Sequence, residues 1–146
     1  MIKEKEGDLI KMAENGHFDV IVHGCNTKKT MGAGLAKKLI EKYPIIGEYD
    51  VYGANPGSIC AVQVSEKLII VNAYTQIYWG SKNLTYENRY LYIRECMKQI
   101  KKEFGDKRIG LPCIGAGLAG GNWAKIKDII IEELNGCDYT IVYFKK

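Results

Sequence analysis

No apolar run in this sequence approaches the length of a membrane span, and the longest are strand-sized. The first residues, MIKEKEGD, are charged and lack the apolar region of a signal peptide, so the chain is expected to be cytoplasmic with no membrane partner. Cysteine is present but uncoupled. Cys25, Cys60, Cys96, Cys113 and Cys137 are odd in number and no two lie close together, which argues against a disulfide framework and against a zinc knuckle. No cluster of metal-ligating residues is visible, so no metal and no cofactor are expected. Histidine is limited to His17 and His23, which keeps the acid–base inventory thin. Lysines and arginines are dispersed, with doublets at Lys28-Lys29, Lys37-Lys38 and Lys101-Lys102. The absence of one long basic run argues against a nucleic-acid partner. No internal repeat or low-complexity segment appears.

What is present is ordinary for a globular protein: 47% apolar and 26% charged residues over 146 positions, with a net charge of +4. That length predicts one domain, residues 1–146, with a real core, and a monomer is expected. The charge fits an anionic small molecule without requiring one. Strand and helix patterns alternate. Strands are expected at about Ile2–Glu6, Phe18–Gly24, Ser58–Val64, Leu68–Thr75, from Arg108, and Tyr139–Phe144. Helices are expected at about Leu9–Glu14, up to Tyr43 after the first glycine loop, Tyr86–Phe104 and Asn122–Asn135, with a further short one beginning at Pro44. In the long helix, Tyr90, Ile93, Met97, Ile100 and Phe104 step by three and four. The Ser65–Lys67 link is hairpin-short, so its two strands are expected to be antiparallel. The class is α/β in three layers, α/β/α, around a mixed, mostly parallel sheet of about six strands.

Two stretches carry the chemistry. Val20–Leu39 reads VIVHGCNTKKTMGAGLAKKL: a β-branched strand, a glycine turn, then a helix. Arg108–Asn122 reads RIGLPCIGAGLAGGN and leads into a second helix. Strand, glycine turn, helix is the layout that aims main-chain N–H groups at an anion. A tight turn needing small residues is the plainer reading of either stretch alone. Two such turns, if their strands are neighbours in a parallel sheet, would open at the same carboxyl edge, where ligands bind in α/β sheets. Gly115–Gly120 matches G-x-G-x-x-G, but it lies late in the chain and the nearest following acid is Asp138, so the dinucleotide fingerprint fails on context. No Walker pattern is present.

Gly7-Asp8-Leu9-Ile10, then Cys25-Asn26 with Met31-Gly32-Ala33-Gly34-Leu35-Ala36, then Leu111-Pro112-Cys113-Ile114-Gly115-Ala116-Gly117-Leu118 with a following Gly-Asn-Trp, occur in one order and spacing. Together they resemble the macrodomains, which bind ADP-ribose, across nearly the whole chain. The branch resembled includes ADP-ribose-1″-phosphate phosphatases and free-standing ADP-ribosyl hydrolases. The resemblance implies a macrodomain fold and a ligand-binding set of Asp8, Leu9, Ile10, Asn26, Met31, Gly32, Ala33, Gly34, Leu35, Gly115, Ala116, Gly117, Leu118 and Ala119. Asp8 would accept from the adenine amino group, or cap the helix after it, or do both. Asn26 would bond the distal ribose. The two glycine turns would hold the diphosphate from either side.

The implied activity is hydrolysis of ADP-ribose-1″-phosphate to ADP-ribose and phosphate, with His23 and Asn26 as the catalytic pair. A binding module without chemistry, or an ADP-ribosyl hydrolase acting on protein or nucleic acid, stands as the alternative. His23 in Val22-His23-Gly24-Cys25-Asn26 reads either as an acid–base group near pH 7 or as a buried, hydrogen-bonded residue behind the loop. Relatives that cleave glutamate-linked ADP-ribose carry a Lys and an Asp where Gln76 and Ala119 stand here, which removes that mechanism's nucleophile and base. Trp123 reads as core by its helical spacing.

Overall fold

The computed structural model describes residues 3–26, 34–48, 55–76, 86–115 and 121–144. Within them the elements run β1 (Lys3–Gly7), α1 (Leu9–Glu14), β2 (Val20–Asn26), α2 (Gly34–Lys42), α3 (Ile45–Glu48), β3 (Ile59–Ser65), β4 (Leu68–Gln76), α4 (Tyr86–Phe104), β5 (Arg108–Leu111), α5 (Trp123–Glu133) and β6 (Asp138–Phe144). The strands form one six-stranded sheet in the order β1-β6-β5-β2-β4-β3. All neighbours are parallel except β3, which pairs antiparallel with β4 through the short link at Glu66-Lys67. The expected architecture, three layers on a mixed, mostly parallel sheet, is the one observed.

Alternation along each strand explains the layers. Val20, Val22, Val71, Ala73, Ile109, Leu111, Tyr139 and Ile141 face α4 and α5 in one core. Ile21, Ile70 and Val142 point the other way and meet Leu9, Ala13, Leu39 and Ile46 of α1, α2 and α3 in a second core. Strands covered on both faces read as continuous apolar runs, which is why β2 and β4 look like unbroken hydrophobic stretches. The α4 stripe is buried as its spacing requires, with Ile93, Met97 and Ile100 at 0% exposure. Each such side chain contributes roughly 1.5–3 kcal/mol of burial.

Several boundaries shift by one or two residues. β2 begins at Val20 rather than Phe18 and continues to Asn26. Its last two residues extend the ladder with β4 across a register irregularity between Cys25 and Asn26. Strand pattern alone does not reveal that irregularity, because Gly24 reads as a terminator. α5 begins at Trp123, with Asn122 as N-cap accepting from Lys125 N–H at 3.3 Å. The expected loop at Gln76–Thr85 begins where β4 ends, and residues 77–85 lie outside the described residues. Among the described residues no helix is long and apolar enough to cross a membrane.

Candidate functional site

β2 and β5 are adjacent and parallel, with Val20 opposite Ile109 and Ile21 opposite Gly110. Their carboxyl ends therefore share one edge of the sheet, and the chain leaves it toward Gly34 after β2 and toward Gly115 after β5. Gly34 opens α2 with φ +59°, and Gly115 stands at φ +76° four residues past β5. Both values lie in the left-handed region that a Cβ disfavours. The two differ in surroundings. A Cβ on Gly34 would meet nothing within 4 Å, whereas one on Gly115 would stand 3.1 Å from Ile93 Cδ1 and 3.3 Å from Ile126 Cδ1. The Gly121 N–H donates to Gly115 O at 2.8 Å and closes the second turn. Met31, Gly32 and Ala33 lie outside the described residues, as do Ala116, Gly117, Leu118 and Ala119.

Asp8 follows β1 at the same edge, two strands beyond β5. Its Oδ1 accepts from the N–H groups of Ile10, at 3.0 Å, and Lys11, at 3.2 Å, which makes it the N-cap of α1. Those two bonds leave Oδ2 uncommitted by the cap. Leu9 is 4% exposed in the core, so any part it takes toward a ligand goes through its main chain. Ile10 and Leu35 are half-buried against the same core. Asn26 ends β2 at this edge.

His23 lies on the sheet's second face, the one that α3 covers. It is 1% exposed. It stands in register opposite Asn72 of β4, and its Nε2–H donates to Asn72 Oδ1 at 2.6 Å. Asn72 Nδ2 in turn donates to Ile46 O of α3 at 3.4 Å. Burial lowers the imidazole pKa from 6.5 to about 4, with the Asn72 bond opposing in part. These are the features of the buried, hydrogen-bonded reading of this residue, and the ring is neutral at pH 7. Cys25 Sγ lies 3.7 Å from Nδ1 and 3.5 Å from Nε2 of the same ring. Near-equal distances place the sulfur off the in-plane lone-pair direction of either nitrogen, which is poor geometry for activating a thiol. At the mouth of β5, the Cys113 thiol is pushed up by desolvation and then by Glu4, so it is a thiol rather than a thiolate at neutral pH.

Two residues of the neighbourhood escaped the reading of the sequence. Asn72 interrupts the apolar run LIIVNAY, and a lone amide in a doubly covered strand signals a buried polar partner. Arg89 stands four residues before Ile93, so the core-facing spacing of α4 continues onto it, and it is 7% exposed. Trp123 is half-buried, with Nε1–H donating to Tyr143 Oη at 3.2 Å and the two rings edge to face. An open concavity of about 1010 Å³ lies at the opposite, amino edge, near Phe18, Asp19, Leu68 and Arg108. The Arg108 guanidinium there is engaged by Asp19 and by Gly16 O, so its charge serves to tie β5 to the β2 entry. Gly115, the helix start of α2 at Gly34 and the Asp8 carboxylate all stand at the other edge, which is the candidate site. Among the described residues no His, Cys, Asp and Glu side chains gather as metal ligands.

Comparison with known proteins places this arrangement among relatives. An uncharacterized 17.5 kDa protein of Enterobacteria phage T4, from the tk-vs intergenic region, is 32% identical over 97% of this chain and 96% of its own length. An ADP-ribose 1″-phosphate phosphatase of Lodderomyces elongisporus is 23% identical over 96% of each chain. Among solved structures, the macrodomain of Thermus aquaticus DarG superposes with a TM-score of 0.75 at 23% identity, covering 100% of this chain and 98% of that one. No protein-family model matches the sequence.

Proposed function

The chain belongs to the macrodomain family, and on that premise we propose that its carboxyl edge binds an ADP-ribose-type nucleotide and hydrolyses ADP-ribose-1″-phosphate to ADP-ribose and phosphate. The observation that carries this reading is the adjacency of β2 and β5, whose shared edge leads the chain to two positive-φ glycines, Gly34 and Gly115. Main-chain N–H groups of such turns are suited to a diphosphate. In this reading Asp8 accepts from the adenine amino group through the oxygen its cap leaves over, and Leu9 and Ile10 approach the base. Met31 to Leu35 and Gly115 to Ala119 surround the diphosphate and the distal ribose.

Hydrolysis then requires a water aligned on the terminal phosphorus. The amide of Asn26, with one donor and one acceptor end, is the candidate to hold it. The N–H-rich turns stabilise the charge that develops as the water attacks. His23, buried and neutral, supports this step by fixing the carboxyl end of β2 through Asn72 rather than by exchanging a proton with the water. That same burial favours a second reading, a binding module without turnover, because it withdraws the imidazole from acid–base work.

Calorimetric titration with ADP-ribose, run beside phosphate release from ADP-ribose-1″-phosphate, separates these readings. Binding with phosphate release that Asn26→Ala abolishes is the expected result. Binding without release selects the second reading. No heat at millimolar ADP-ribose would remove the nucleotide assignment altogether.

A further inference from the structure

Among the described residues, Arg89 is a buried cation with no carboxylate to hold it. It stands in the first turn of α4, is 7% exposed, and its Nε has no hydrogen-bond partner. Burying an unpaired guanidinium is strongly unfavourable, and a cation in the first turn also opposes the helix dipole. The two other arginines of the chain are paired. Arg94 bonds Glu132 and Glu133, and Arg108 bonds Asp19.

The packing of α4 locates the side chain. Tyr90 Oη accepts the Asn122 N–H at 3.1 Å, and Ile93 lies beneath Gly115. One position before Tyr90, Arg89 places its Cδ 3.2 Å from where a Cβ on Gly121 would stand. That Cβ would also come within 2.6 Å of Gly115 O, so glycine at 121 both closes the turn and leaves the arginine its path. The helix start and the arginine thus bring two sources of positive potential to the turn that follows β5.

We propose that Arg89 is a specificity residue of this edge: its guanidinium, carried past Gly121, donates to a phosphate oxygen of the ligand and selects phosphate-bearing nucleotides over uncharged nucleosides. This rests on the nucleotide reading of the edge given above. A guanidinium stays protonated at any working pH and offers a planar fork of donors that matches a phosphate. An anion bound there supplies the counter-charge that the guanidinium lacks and offsets its unfavourable interaction with the helix dipole.

Wild type, Arg89→Lys and Arg89→Leu are titrated with ADP-ribose and with adenosine, and each is melted without ligand. Arg89→Leu is expected to weaken ADP-ribose about 10- to 100-fold, with adenosine unchanged and the ligand-free Tm unchanged or raised. Arg89→Lys is expected to fall between. Arg89→Leu binding ADP-ribose as tightly as wild type, or losing both ligands equally, overturns the proposal. A second measurement needs no variant: inorganic pyrophosphate is added to ¹⁵N-labelled wild type and the Arg89 Nε–H resonance is followed. A shift is expected, and a stationary resonance overturns the assignment even if ADP-ribose binds. A shift with pyrophosphate in a protein that ignores ADP-ribose would keep the anion site and remove only the nucleotide reading.

Discussion

An imidazole that is neutral when folded and free to ionise when unfolded makes stability depend on pH. His23 has its folded pKa lowered to about 4 by burial, against about 6.5 in an unfolded chain. Between those values the unfolded state binds more protons, so stability rises with pH. The contribution is fully present above pH 6.5 and is lost as pH falls toward 4. We expect urea unfolding to show roughly 2 kcal/mol less stability at pH 5 than at pH 7 from this group. His23→Gln should flatten that dependence. An unchanged pH profile in the variant would mean the imidazole is not the titrating group. The sequence displayed His23 but left both of its readings open, because only the register of β2 against β4 brings Asn72 opposite it. Asp8 was more legible, since an acid just before an apolar helical pattern is a capping signal that needs no tertiary context.

At the scale of elements, the two glycines of the site should respond differently to substitution. Both carry positive φ, but Gly34 faces open space and Gly115 faces Ile93 and Ile126. Gly34→Ala should cost about 1 kcal/mol of backbone strain. Gly115→Ala should cost more, because two core side chains must also give way. Chemical denaturation of the pair checks this, and equal losses would contradict it. Gly34→Glu should then abolish ADP-ribose binding while leaving the fold largely intact, as circular dichroism beside calorimetry would show. The bounds of α4 were readable to the residue because its stripe is long and Gly105 ends it. β2 was misjudged by two residues at each end. Its start turns on Asp19, whose carboxylate takes the Arg108 N–H at 2.9 Å while its own N–H and C=O bond Arg108 and Ile69, and its finish turns on the irregular pairing near Asn26. Neither is a property of local composition.

For the molecule as a whole, ligand binding should appear as stability. A nucleotide that binds only the folded state at 100 times its dissociation constant adds about 2.7 kcal/mol. A thermal melt with saturating ADP-ribose should therefore shift upward by several degrees, and no shift would count against the proposed ligand. The alternation of strand and helix made the three layers legible, but the order of strands was not. Nothing in the sequence of β1, KEKEG, announces that it pairs with β6, from Lys3 opposite Thr140 to Gly7 opposite Phe144. That pairing has a consequence for how the protein is born. On a translating ribosome β1 is made before every other described strand, and its sheet neighbour β6 after them. Until β6 emerges, the backbone N–H and C=O groups of β1 stay open to other chains. A chain cut short before Asp138 would keep them open permanently, so truncated products of this protein should be drawn into aggregates.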